Sequence, residues 1–262
     1  MSSRGLGLKL ALLGLPLALG VAGLHAWGEA AGRTYRTAIA GWEYPEHVQG
    51  RFHLRERRGS ESPLAVAQML DQFTQEMTRR WTGPPPGALP PRVTVIVVDS
   101  AEDLEAFVPP ERLRLARGGE ADLPSGRITL VGPARRDHSQ GDDARTLRHL
   151  LTQLLFPGAT FTWVTEGLAA HVESPSKGTP PGLVRGSRGA PPPLSTLMDR
   201  TESDFQGVAG GSLREGAELW VAFLLAEERG TLAALLAGER SPLLDDLPAL
   251  DDRCRQWHAR TK

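Results

Sequence analysis

Residues 148–173 read RHLLTQLLFPGATFTWVTEGLAAHVE. The first part belongs to a helix predicted over residues 142–156. Leu147, Leu150, Leu151, Leu154 and Leu155 fall there at i, i+3, i+4, i+7 and i+8, an apolar stripe that faces a core. Thr146, His149 and Gln153 fall at i, i+3 and i+7 and draw a polar line along the edge of that stripe. Positions i and i+4 project from the same side of a helix, so His149 and Gln153 can act on one object. A second helix is predicted over residues 164–173. Thr165 can cap it by accepting from an unpaired backbone N–H, and Glu166 suits the positive end of the helix dipole.

Outward from this pair, the chain divides into a strand-bearing half and a helical half. Upstream, EHVQGRFHLRE places Val48, Gly50, Phe52 and Leu54 on one face and reads as a strand. In SPLAVAQMLDQFTQEMTRRW, Ser62 is the expected N-cap and Pro63 the first helical residue. Val66, Leu70, Phe73, Met77 and Trp81 recur at helical spacing, so this helix packs on a sheet. RVTVIVVD is a buried strand rich in β-branched residues. SAEDLEAF opens a short helix with a capping box from Ser100 to Asp103, and RITLV is a further strand. Downstream, helices alone are predicted over 212–229, 231–238 and 242–258. Residues 174–194, with PSKGTPPG and GAPPP, form a long Pro/Gly loop. The fold class is α+β: a small N-terminal mixed sheet with helices, then an all-helical half. There is no internal repeat.

The chain has 262 residues, 40% hydrophobic and 23% charged, enough for one domain of ordinary core size and a terminal appendage. A formal charge of −1 gives no molecule-wide field toward nucleic acid or anionic membrane. Arginine clusters at 55–58 and 112–117 are interleaved with glutamate and lack aromatic companions, so no nucleic-acid partner is expected. Cys254 is the single cysteine, which excludes an internal disulfide and a cysteine-based metal site. At the N-terminus, Arg4 and Lys9 precede the apolar run of residues 10–24, which fits an export signal better than a spanning helix. Residues 1–30 are therefore a signal peptide or an N-terminal membrane anchor, and 31–45 a linker. Residues 46–262 are the domain, with an extracytoplasmic location expected.

Trp163, Glu166, Gly167, Leu168 and Ala169, following His149 on the preceding helix, resemble the gluzincin branch of zinc metallopeptidases, in particular the peptidase-MA-like family. Members carry a His-Glu-x-x-His helix and then a helix opening Trp-x-x-Glu-Gly-Leu-Ala, whose glutamate is the third zinc ligand. The order of strands and closing helices is similar over roughly residues 46–240. The second motif matches in full, and the first only at His149. The resemblance implies a zincin-like fold in which His149, Gln153 and Glu166 stand at the three ligand positions and Leu150 at the general-base position.

These departures bear directly on the chemistry. A catalytic zinc takes three protein ligands and keeps a water position open, and Gln153 offers only a neutral amide. Leucine at 150 can neither take a proton from a metal-bound water nor pass one to a leaving amine. His138, in the loop before the His149 helix, is the residue nearest in sequence that could be recruited. No nucleophile-elbow pattern surrounds the GGS of residues 210–212. The expected function is a catalytically inactive gluzincin-like binding or assembly module, exported or tethered through residues 10–24. It needs no cofactor, and its partner is a peptide or protein. Two alternatives stand beside it: an active zinc enzyme with an atypical ligand set, and an unrelated exported α+β structural domain in which His149 and Glu166 do not meet.

Overall fold

The computed structural model describes residues 43–57, 63–80, 89–105, 107–108, 119–132, 137–173, 191–205 and 210–261. Residues 1–30, Ser62, Trp81 and most of the Pro/Gly loop lie outside these. Five strands form one sheet in the order β1-β2-β3-β5-β4. They are β1 (Glu46–Gln49), β2 (Phe52–Arg55), β3 (Val93–Val98), β4 (Gly119–Asp122) and β5 (Arg127–Val131). The sheet is mixed. β2, β3 and β5 run parallel, while β1 and β4 are antiparallel edge strands.

Two features of the sheet differ from the sequence reading. EHVQGRFHLRE is a hairpin and not one strand: Gln49 pairs with Phe52 across a Gly50-Arg51 turn. Gly50 sits at φ +58°, a left-handed conformation that glycine adopts without penalty. Alternation continues through the turn, so periodicity alone does not show the reversal, and Val48 ends up exposed on the outer strand. The second difference is β4, which was not expected. GEAD is too short and polar to register as a strand. It pairs back onto β5 through a 3-10 turn at Leu123–Ser125 closed by Gly126 at φ +63°.

Helix α1 (Pro63–Arg80) begins at the expected proline. Its Val66, Leu70, Phe73 and Met77 are buried in one core with Phe52 and Leu54 of β2, Val93, Val95 and Val97 of β3, and Ile128 and Leu130 of β5. Because side chains alternate along a strand, Ile96 and Val98 face the other way. They pack with Tyr44, Leu104 and Val108 in a second, smaller cluster. Tyr44, placed by sequence in the linker, is 1% exposed. Its hydroxyl donates to Asp103 Oδ2 (3.0 Å), on the short helix α2 (Ala101–Leu104) that Ser100 caps as expected.

The helical half follows as α3 (Gly141–Leu155), α4 (Thr162–Glu173), α5 (Ser195–Met198), α6 (Glu202–Phe205), α7 (Gly210–Glu227), α8 (Arg229–Leu236) and α9 (Leu247–Thr261). α4 starts two residues before the predicted boundary. Thr165 therefore lies inside the first turn, donating its hydroxyl to the Thr162 carbonyl, and is not the cap. The span predicted as one helix from 242 is a 3-10 turn (Pro242–Asp245) followed by α9. Trp220, Phe223 and Trp257 stack edge to face and tilted between α7 and α9. Among the described residues no helix is long and apolar enough to cross a membrane.

Candidate functional site

Helices α3, α4 and α7 converge on the side chains that the sequence singles out. α3 packs its leucine stripe on the sheet: Leu147, Leu150 and Leu151 are fully buried. This turns the polar edge of the helix toward α4. α4 in turn lies against α7 at backbone distance. A Cβ on Gly167 would stand 2.3 Å from the Ala217 carbonyl oxygen, so no side chain fits there. The glycine of the Glu-Gly-Leu-Ala stretch thus sets the separation that brings Glu166 to the flank of α7. Trp163, Leu168 and Ala169 are buried core residues of the same helix.

His149, Gln153 and Glu166 come together. His149 Nε2 lies 2.8 Å from Gln153 Nε2 and 3.4 Å from Glu166 Oε1. If the Gln153 amide donates to Nε2, the ring proton sits on Nδ1. With the amide turned over, Nε2–H donates to the Gln153 carbonyl oxygen. In both arrangements Nε2, the nitrogen facing the glutamate, is engaged. Nδ1 is buried and has no hydrogen-bond partner among the described residues. His149 is 5% exposed and Glu166 4%. The carboxylate favours an imidazolium, whereas burial and then the Arg214 charge oppose it. Burial wins, and the His149 pKa falls to about 4, so the ring is neutral at pH 7.

Arg214, on α7, supplies a second contact to the carboxylate. Its Nε is 3.7 Å from Glu166 Oε2, and its Nη2 donates to the Phe205 carbonyl at 2.7 Å, which fixes the guanidinium at the end of α6. Arg214, His149 and Glu166 line a cleft of about 380 Å³ together with Arg145, Glu173 and Glu218. Glu173 is held by Arg148 Nη1 at 3.3 Å and Arg145 Nε at 4.0 Å. Burial pushes its carboxyl above the ordinary range against the pull of Arg148 and Arg145.

Leu150 is not part of the cleft lining. It is 0% exposed, and its Cδ1 lies only 2.9 Å from where a Cβ on Gly119 of β4 would stand. The position that the resemblance assigns to a general base is therefore filled by an aliphatic side chain pressed on the edge strand. His138 is engaged elsewhere, with Nδ1 2.9 Å from Asp143 Oδ2 and Nε2 3.6 Å from Glu56 Oε1. It contributes nothing to the cleft lining. Cys254 is buried, and burial pushes its thiol up to about 12, so it is no nucleophile at neutral pH.

A zinc centre of the kind implied by the resemblance needs three donors around a point. The donors present are one imidazole, whose Nε2 is taken by Gln153, and one carboxylate facing an arginine. Among the described residues no three His, Cys, Asp or Glu side chains group around a common point. The residues do not fit a gluzincin zinc. Sequence reading missed Arg214 because the polar N-terminal stretch of α7 carries no periodic signal there. Comparison with protein-family models and with curated proteins gives no match.

Proposed function

We propose that this chain is a gluzincin-like domain without hydrolytic activity, exported or tethered to the membrane through residues 10–24. It serves to bind a peptide or protein partner at the α3–α4–α7 cleft. One observation carries the reading: His149 Nε2 lies within 3.4 Å of Glu166 but shares that approach with Gln153 at 2.8 Å. The imidazole nitrogen that faces Glu166 is thus already engaged by the Gln153 amide. Leu150, buried on Gly119, leaves no proton-transfer group at the base position. The cleft itself persists, about 380 Å³ and lined by both glutamate and arginine, which suits polar peptide groups better than an apolar ligand.

The test is metal content and hydrolysis. Full-length protein purified without chelator, then loaded with Zn²⁺ and desalted, is expected to hold well below one equivalent of zinc and to leave casein intact. Chelator-sensitive cleavage that disappears in His149→Ala would overturn the proposal.

A further inference from the structure

The carboxylate of Glu166 is buried, and a buried carboxylate needs a compensating charge. A cation within reach is Arg214, whose Nε stands 3.7 Å from Glu166 Oε2 while its Nη2 is tied to the Phe205 carbonyl. That tie matters. It anchors the guanidinium beside Glu166 in the cleft lining. The amide of Gln153 meanwhile occupies His149 Nε2.

We propose that Arg214 is the built-in counter-ion of Glu166, and that its fixed charge, with the Gln153 amide on His149, keeps divalent metal out of the His149–Glu166 pair. This rests on the reading of the domain as a metal-free relative of gluzincins, and it assigns the exclusion to a residue outside both motifs. Two cations sharing one carboxylate repel one another, and more strongly at a partly buried site than in bulk water. Restoring a second imidazole is therefore not enough to restore a site.

The experiment titrates Zn²⁺ into the full chain by calorimetry, with Co²⁺ absorption spectra as an independent report of the ligand shell. Gln153→His places two imidazoles at i and i+4. It is expected to bind Zn²⁺ at least tenfold more weakly than Gln153→His combined with Arg214→Met. Equal affinity of the two overturns the inference. Gln153→His with Arg214→Lys, where the charge is kept, is expected to bind no better than Gln153→His alone, and tight binding there also overturns it. Should the Arg214→Met combination not fold, Arg214→Gln replaces it, since its amide can still donate to the Phe205 carbonyl without the charge. Stoichiometric zinc in the unmodified protein, lost in His149→Ala, would sink the underlying functional reading as well. A metal-free parent with equal variants sinks the role of Arg214 alone.

Discussion

Replacing Leu150 by glutamate puts a carboxylate into the buried face of α3, and the geometry gives its cost. Leu150 is 0% exposed and its Cδ1 lies against Gly119. Removing its apolar surface from the core forfeits about 1.5–3 kcal/mol. An ionised carboxylate in the same place adds a desolvation cost of several kcal/mol unless it finds a partner. Together these give a loss of about 3–6 kcal/mol at pH 7, a drop in Tm of roughly 6–24 °C for a domain of this size. Leu150→Met, which conserves volume, should cost less than about 1.5 kcal/mol and serves as control. The pH dependence has a fixed sign. Burial raises the pKa of the introduced carboxyl in the folded state, so it keeps a proton that the unfolded chain, with a pKa near ~4.3, has lost. Stability of Leu150→Glu therefore falls as pH rises above about 4, and the gap to wild type narrows on acidification. Differential scanning calorimetry between pH 4.5 and 8 reads both effects. A Tm for Leu150→Glu equal to or above wild type at pH 7 would refute the claim that this position belongs to the core.

Three further outcomes follow from the same geometry. Gly167→Ala drives a methyl into the Ala217 carbonyl and should cost about 1–3 kcal/mol in urea unfolding. The His149 pKa of about 4 lies below the unfolded value of 6.5, so the unfolded chain binds the extra proton between those values. Stability should consequently be lost as pH falls from about 6.5 to 4, by on the order of 3 kcal/mol, and His149→Gln should flatten that slope. Tyr44→Phe, which removes the hydroxyl donating to Asp103, should lower stability by about 1–2 kcal/mol in the same assay. No change there would count against the Tyr44–Asp103 hydrogen bond as a stabilising contact.

Much of the frame was legible because the signals were long and periodic. The leucine stripe of α3 and the apolar recurrence of α1 each extend over three or more turns, and both helices form within a residue or so of their expected bounds. The valine run of β3 is buried as its composition implied. Short elements escaped. The β1–β2 turn was hidden because Val48, Gly50, Phe52 and Leu54 keep period two through a reversal, and β4 because four polar-flanked residues gain their strand conformation from pairing with β5. At the site, the convergence of His149, Gln153 and Glu166 was readable from helix spacing and one motif. Arg214 was not, since it reaches Glu166 only because Gly167 lets α4 and α7 approach, a tertiary fact that no local pattern encodes.

The most direct measurement is zinc stoichiometry. Full-length protein prepared without chelator, incubated with Zn²⁺ and passed through a desalting column, is analysed by inductively coupled plasma mass spectrometry beside His149→Ala. The expected result is far less than one zinc per chain and no difference between the two proteins, because Gln153 and Arg214 already engage the groups that a metal would use. One equivalent of zinc in the wild type, absent from His149→Ala, would contradict the account.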